Sequence, residues 1–357
     1  MSEAEPSGAR ARPLRRRRRR SVALSRVEEF LREIRPDATE PAAQYVRELM
    51  VTAIRLLEDH APIADVRLLN AAVRELRYAF RTFARFSDVR KVTTFGSART
   101  AETEPTYRQA EDFARRVAEA GFMVITGAGG GIMRACQAGA GRAHSFGVNI
   151  RLPFEQKANE FIADDPKLMT FKYFFTRKLL FVKEADAVAM FPGGFGTLDE
   201  AFECLTLVQT GKAGPVPIVF VDAPGGRFWS SWLDYVNDHL LEGGLISEED
   251  LSLFRVTDDA AEAVEEIRGF YRVYHSSRYV GEKLVLRLAR APQAPLLERM
   301  QHDFADLAAG GRFQLSDALP EEDADETAKL PRLVFAFNRV NFGRLRQLID
   351  FLNANVA

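Results

Sequence analysis

A glycine-rich turn followed by an acidic residue is the part of the chain best suited to chemistry. The sequence Pro192-Gly-Gly-Phe-Gly-Thr197-Leu-Asp-Glu200 follows an apolar run, Asp186–Phe191. A glycine turn between a strand and a helix presents backbone N–H groups and the positive end of the helix dipole, which together favour a phosphate. Glu200 would stand at the start of that helix. The segment therefore predicts a phosphate-binding turn beside a carboxylate that could act on the attached nucleotide.

The spacing of Thr197 and Glu200 also has a simpler interpretation. A Thr followed three residues later by a Glu is the pattern of a capping box, in which both side chains only close the start of a helix. Two adjacent glycines and a third one before Thr197 exceed what a cap requires. The Thr hydroxyl can serve a cap and a phosphate alike, so both interpretations stay open.

The first glycine turn in chain order, Gly127-Ala-Gly-Gly-Gly131, joins the apolar run Met123–Thr126 to a predicted helix, Ile132–Gly141, and the turn that begins at Pro192 is the second. Glycines there allow a positive φ and a close approach of backbone to phosphate oxygens. The turn lacks the glycine spacing of the dinucleotide fingerprint and the Gly-Lys-Ser/Thr of a P-loop. It is either a further phosphate-binding turn or only a tight connection between a strand and a helix.

Two adjacent cations, Arg177 and Lys178, fall at the start of a predicted helix after Phe171-Lys-Tyr-Phe-Phe-Thr176. Cations are unfavourable at a helix N-terminus, so a pair there suggests an anion to bind. The alternative is a solvated pair whose aliphatic stems pack on the surface. The neighbouring aromatic residues favour partial burial, and the Arg fork suits a phosphate or a base.

These motifs must be held by alternating strands and helices. Short apolar runs spaced by helical segments predict parallel βαβ units, and hence a Rossmann-like, doubly wound, mostly parallel sheet. Both glycine turns follow strand ends, where ligands bind in open α/β sheets. The predicted strands are Val92–Phe95, Met123–Thr126, Gly147–Leu152, Asp186–Phe191 and Pro217–Val221.

The pattern changes on both sides of this α/β region, which predicts four segments. Residues 1–24 are expected to be a basic disordered tail, 25–88 a helical N-terminal extension, and 89–270 the Rossmann-like domain. Residues 271–357 read as a small α+β appendage with the order β-α-β-β-α. The appendage would either bind a regulator or partner, or serve only packing and dimerisation.

Composition restricts the class of protein further. The net charge is −1, but residues 1–20 hold eight of the 49 basic and two of the 50 acidic residues, which leaves −7 on the rest. An acidic body argues against nucleic-acid binding, except through the Arg-rich tail. Two cysteines and no long apolar stretch predict a cytoplasmic protein without membrane contact. The five histidines are scattered, so no metal site is expected.

Together, the two glycine turns and the Arg177-Lys178 pair resemble the LOG ("Lonely Guy") family of phosphoribohydrolases, over roughly Lys91 to Gly269. Members have often carried the label of lysine decarboxylase, for which we find no cofactor-binding lysine environment. The resemblance implies a homodimer or larger homo-oligomer without cofactors. It also implies hydrolysis of the N-glycosidic bond of a nucleoside 5′-monophosphate, giving free base and ribose 5-phosphate.

The resemblance assigns Arg177 and Glu200 as catalytic residues. We expect the glycine turns to hold the phosphate, and Glu200 to stabilise positive charge at the anomeric carbon, as carboxylates do in glycoside hydrolysis. The alternative is a non-catalytic nucleotide-binding or cofactor-carrier protein, which would need only the glycines. The predicted substrate-binding residues are Ser97, Gly129, Gly130, Gly131, Met133, Lys178, Pro192, Gly193, Gly194, Gly196, Thr197 and Glu203.

Two departures bear on the substrate. Plant-type members have His-Glu where this chain has Phe175-Thr176, and a glycine where it has Arg134. The chain is more similar to the longer bacterial branch, with Leu152-Pro-x-Glu-Gln156 and Gln209-Thr-Gly211. Cytokinin nucleotides are therefore in doubt, and AMP or another nucleoside monophosphate is expected instead.

Overall fold

The computed structural model of the protein describes residues 24–37, 39–151, 157–322 and 326–356. Residues 1–23 of the predicted tail and the segment from Leu152 to Gln156 lie outside these residues, and so do the predictions made for them. The chain falls into two compact units, divided between Arg74 and Glu75. The domain limits expected from the sequence remain a prediction.

The N-terminal part is helical, as predicted. Residues 24–34 are helical (α1), and Ala42–Glu58 and Ile63–Phe83 form helices α2 and α3. The part of helix α3 from Glu75 onward belongs to the second unit. Its last turns contribute Ala79 and Phe83 to the apolar core of the second unit.

Within the described residues, seven parallel strands form the central sheet, in the order β4-β3-β2-β1-β5-β6-β7. The chain runs outward from β1 to β4 and then returns to β5 on the other side of β1. The loops after β1 and β5 thus diverge at a topological switch point, the place where open α/β sheets bind ligands. The strands are β1 (Lys91–Phe95), β2 (Met123–Thr126), β3 (Ser145–Ile150), β4 (Leu168–Phe171), β5 (Ala187–Met190), β6 (Ile218–Val221) and β7 (Phe254–Thr257).

Helices cover both faces of this sheet, which confirms the Rossmann-like, doubly wound fold. Helices α4, α5 and α9 pack on one face, where Phe113 and Val264 are buried. Helices α6 and α7 pack on the other, where Leu180 and Cys204 are buried. The helices are α4 (Pro105–Glu119), α5 (Ile132–Ala140), α6 (Phe174–Lys183), α7 (Phe195–Gln209), α8 (Phe228–Tyr235) and α9 (Ala260–Phe270).

The sequence did not predict the two edge strands. The central strands β1, β2, β5 and β6 are buried throughout, so they read as continuous apolar runs. Strands β4 and β7 are covered less evenly and contain exposed Thr170 and Arg255. Their short mixed sequences carry no clear strand signal.

A smaller antiparallel sheet follows, in the order β10-β11-β9-β8. Helix α11 packs on it through Leu348 and Leu352, against Leu286 and Leu333. This confirms the α+β appendage, but the predicted order β-α-β-β-α lacked the first strand, whose centre is polar. The elements are β8 (Tyr274–Val280), β9 (Lys283–Leu288), α10 (Ala294–Asp303), β10 (Gln314–Ser316), β11 (Arg332–Phe335) and α11 (Phe342–Asn355).

Candidate active site

A cavity of about 720 Å³ opens at the carboxyl ends of β1, β2 and β5, where the strand order reverses. It contains both residues predicted to be catalytic, Arg177 and Glu200. It also contains six of the residues predicted to bind substrate: Ser97, Gly193 and Gly194 from loops, Met133 from the start of α5, and Gly196 and Thr197 from the start of α7.

The second glycine turn does not end in a capping box. Helix α7 begins at Phe195 with Gly194 as its N-cap, and no side chain caps it. Thr197 is therefore the third helical residue and Glu200 the sixth, one turn too late to close the helix start. The simpler interpretation of the Thr197–Glu200 spacing is wrong, because the helix starts inside the glycine run.

The loops that follow β1 and β5 are fastened to each other. The N–H of Ser97 donates to the carbonyl oxygen of Pro192 at 3.1 Å. A Cβ on Gly193 would lie 2.2 Å from Oγ1 of Thr197 and 3.0 Å from the nitrogen of Ser97. Only glycine fits this contact, whereas a Cβ on Gly194 or Gly196 would meet nothing within 4 Å.

The first glycine turn lies behind the loop that follows β1. Gly131 has a φ of 58°, and a Cβ there would come within 2.2 Å of the carbonyl oxygen of Ser97. The N–H of Ile132 donates to that same oxygen at 3.0 Å. This turn reaches the cavity lining through Gly127 and Met133. The predicted phosphate contacts of Gly129, Gly130 and Gly131 stay predictions, whereas the backbone packing explains the glycine at 131.

Arg177 projects from α6 between two aromatic rings. Its guanidinium carbon lies 4.9 Å from the ring centroid of Phe174 and 5.6 Å from that of Phe181. Nε is buried and has no hydrogen-bond partner among the described residues. Burial lowers the pKa of Arg177, and the neighbouring Glu200 opposes that shift. The side chain still carries its charge at neutral pH, because the ordinary pKa of Arg is so high.

Glu200 is a buried carboxyl group that lines the cavity with one oxygen unsatisfied. The residue is 5% exposed, and no hydrogen-bond partner of its Oε2 exists among the described residues. Burial raises the pKa of Glu200 to about 7, against the opposing charges of Lys178 and Arg177. A carboxyl group that titrates near neutral pH in a cavity is characteristic of functional sites.

Lys178 and Glu203, both predicted to bind substrate, lie beside Glu200 and line a neighbouring cavity. The Nζ of Lys178 lies 2.8 Å from Oε2 of Glu203, 2.9 Å from Oδ2 of Asp199 and 3.9 Å from Oε2 of Glu200. Burial lowers the pKa of Lys178, but its bonds to Glu203 and Asp199 outweigh that and raise it overall. The direct substrate contact of Lys178 and Glu203 stays a prediction.

Sequence reasoning missed several residues of the cavity wall. Arg99 follows Ser97 in the same turn, and its N–H donates to Oγ of Ser97 at 3.1 Å. A cation directly after a strand end and a Ser was a signal that could have found it. Phe181 and Phe228 contribute apolar wall. They come from separate helices, and no local pattern links either of them to the glycine turns.

Other kinds of chemistry find little support in the described part of the chain. Within it, no three His, Cys, Asp or Glu side chains come together in a way that could hold a metal ion. Cys136 and Cys204 are buried, and burial raises the pKa of each thiol to about 12. Neither is thus a reactive thiolate at neutral pH.

Of the helices described, none has the length and apolar character to cross a membrane.

Three solved structures are similar to half of the chain. The protein TM1055 is 21% identical, with 50% of this chain and 99% of that one covered and a TM-score of 0.37. The molybdenum cofactor carrier protein from Chlamydomonas reinhardtii is 18% identical, with coverages of 50% and 96% and a TM-score of 0.34. The molybdenum cofactor binding protein from Rippkaea orientalis is 18% identical, with coverages of 50% and 94% and a TM-score of 0.34. At such values the likeness carries no information about activity.

Sequence comparison gives a more specific result. No curated protein resembles the chain closely enough to count as a relative. Residues 130–267 match the profile of a family described as "Possible lysine decarboxylase". The matched region includes Arg177, Lys178 and the whole of the turn from Pro192 to Glu200. This region of the chain is similar to that family, which is the LOG family that its motifs resemble.

Proposed function

We propose that the protein hydrolyses the N-glycosidic bond of a nucleoside 5′-monophosphate, AMP or a related nucleotide, and releases free base and ribose 5-phosphate. The observation that carries this proposal is the state of Glu200, a buried carboxyl group with an unpartnered oxygen in a cavity at the switch point of the sheet. A structural carboxylate would be expected to have its hydrogen bonds satisfied. The similarity to this family is consistent with this reaction.

The phosphate would bind at the start of α7. The first N–H groups of a helix have no partner within it, and the helix dipole favours an anion there. The N–H of Thr197 already donates to the carbonyl oxygen of Gly194 at 3.0 Å, so Thr197 would use its hydroxyl. The amides of Phe195 and Gly196 remain for the phosphate, and the open space beside Gly194 and Gly196 gives it room.

Glu200, three residues beyond Thr197 in α7, would then face the ribose. Breaking the bond between C1′ and the base nitrogen leaves positive charge on the sugar, which the Glu200 carboxylate stabilises until water adds to C1′. Arg177, between its two rings, would orient the base and support its departure as an anion, which takes up the proton that the water loses when it adds to C1′. Each such electrostatic interaction would lower the barrier by a few kcal/mol.

The decisive experiment incubates the full chain with a panel of purine and pyrimidine nucleoside monophosphates and with the corresponding nucleosides. Release of free base together with ribose 5-phosphate from at least one monophosphate supports the proposal. Binding of monophosphates without any release would instead favour the non-catalytic carrier. Absence of both would overturn the nucleotide site itself.

We also propose self-association into a homodimer or larger homo-oligomer. Helices α6 and α7 begin with large apolar side chains that the single chain leaves uncovered: Phe174 and Phe175 are about half exposed and Phe195 is 94% exposed. A second copy covering them would remove an unfavourable apolar surface from water. Light scattering coupled to size-exclusion chromatography tests this, and a monomer at micromolar concentration would contradict it.

A further inference from the structure

The start of helix α6, which carries Arg177, is closed by an acid from a distant helix. Oε1 of Glu75, in α3, accepts the N–H of Lys172 at 2.8 Å. Oε2 of Glu75 lies 2.8 Å from Oγ1 of Thr176, a residue that is fully buried. The Thr176 hydroxyl also lies 2.9 Å from the carbonyl oxygen of Tyr173.

Helix α6 needs such an acid, because its own sequence supplies none. Its N-cap, Tyr173, makes no side-chain cap, and its first turn contains no acidic residue. Arg177 and Lys178 follow directly, although the helix dipole disfavours cations at this end. The Glu75 carboxylate provides the missing negative charge and two acceptors for donors at the helix start.

We propose that Glu75 is a positioning residue for Arg177: it fixes the first turn of α6, and through it the place of the Arg177 side chain in the cavity. Arg177 immediately follows Thr176, one of the two groups that Glu75 holds. Its guanidinium rests on Phe174 and Phe181, and its Nε has no hydrogen bond among the described residues. The helix backbone is therefore the main determinant of where the guanidinium lies.

A shift of Arg177 would be detectable at Glu200. The charged groups that act on Glu200 are Lys178 and Arg177 from α6, which lower its pKa, and Glu203 and Asp199 from α7, which raise it. If Arg177 moves away, the pKa of Glu200 rises. Loss of the negative charge of Glu75 alone would act in the opposite direction, so the sign of the shift separates positioning from a direct charge effect.

The test compares Glu75→Ala and Glu75→Gln with Asp65→Ala, which removes an exposed acid from the same helix. The kinetic part rests on the proposed function and measures base release against pH. Glu75→Ala should lower kcat/KM by about 10- to 100-fold, because a catalytic group is then misplaced. It should also move the acidic limb of the pH–rate profile to higher pH. Glu75→Gln keeps one acceptor oxygen, so its kcat/KM should fall less. The kcat/KM of Asp65→Ala should match that of the wild type.

Hydrogen exchange at the amides of residues 172–178 decides the inference without any catalysis. Glu75→Ala should exchange faster there than the wild type, while the amides of β1 stay unchanged. If exchange and the pH profile both match the wild type, the inference is overturned. If the wild type releases no base but Glu75→Ala exchanges faster, the proposed function fails and the positioning of α6 by Glu75 stands.

Discussion

The Nζ of Lys178 lies 3.9 Å from Oε2 of Glu200, which is beyond hydrogen-bond distance. Lys178 instead forms close ion pairs with the two other acids of the same helix, Asp199 and Glu203. Its charge therefore influences the protonation of Glu200 without occupying the oxygen. Glu200 is left with an unpartnered oxygen and a pKa near 7, which are the properties that a reacting group requires.

Glu200→Gln should strongly reduce base release while the fold is retained. The amide keeps the shape of the side chain but cannot stabilise positive charge on the ribose, so kcat should fall by about 10²- to 10⁴-fold. The measurement is steady-state release of base, with Glu265→Gln, an exposed change on α9, as the matched control. Equal losses in the two variants would contradict a special role for Glu200.

The pH dependence of activity should follow the ionisation of Glu200. Because the carboxylate is the proposed active form, kcat/KM should rise with pH through the pKa of about 7. Lys178→Met removes a positive charge that lowers this pKa and leaves the charges of Asp199 and Glu203, which raise it, without their counterion. The rise of kcat/KM should therefore move to higher pH. A pH–rate profile of both proteins checks this, and a shift to lower pH would refute the electrostatic assignment.

Glu200 should also make stability depend on pH. Its pKa is about 7 in the folded state, above the reference value of 4.5, so the folded state binds the proton more tightly. The free energy of unfolding should therefore fall as pH rises from about 4.5 to about 7, by up to about 3 kcal/mol. In Glu200→Gln this decrease should be absent, so the variant gains stability over the wild type at pH 8. Urea unfolding at pH 5 and pH 8 measures the difference, and an equal difference at both values would contradict it.

The sequence predicts the centre of this fold better than its edges. Strands β1, β2, β5 and β6 are covered on both faces, and full burial requires an apolar run that is visible in the sequence. The first strand of the smaller sheet, Tyr274–Val280, is largely half-buried and contains His, Ser and Arg. The place of this strand in the sheet is set by antiparallel pairing with Lys283–Leu288, which is a tertiary contact and not a property of its own sequence.

The candidate site shows the same division. Arg177 and Glu200 were predictable because each departs from a local rule: a cation at a helix start, and an acid after more glycine than a cap needs. Glu75 lies 101 residues before Thr176, and only the fold brings the two together. Phe228, from α8, likewise lines the cavity only because the fold brings that helix beside the glycine turns. Such contacts between distant segments leave no periodicity or spacing in the sequence.

The glycines of the second turn should separate into two classes. Gly193→Ala places a methyl group against Thr197 and the backbone of Ser97, and should destabilise the fold by about 1–3 kcal/mol. Gly194→Ala and Gly196→Ala meet nothing, so their stability should change by less than about 1 kcal/mol, while KM for the monophosphate rises. Urea unfolding and kinetics together test this. Equal destabilisation in all three would contradict the packing described here.

Arg177→Ala should reduce activity strongly but stability little. The guanidinium is buried without a partner for its Nε, so the fold gains little from its polar groups, whereas the proposed reaction depends on its charge beside the base. We expect kcat/KM to fall by about 10²- to 10³-fold, comparable to loss of one transition-state contact. Arg177→Lys should restore little, because an ammonium group lacks the planar fork that rests on Phe174. Arg108→Ala, an exposed change on α4, is the control, and wild-type activity in Arg177→Lys would show that charge alone suffices.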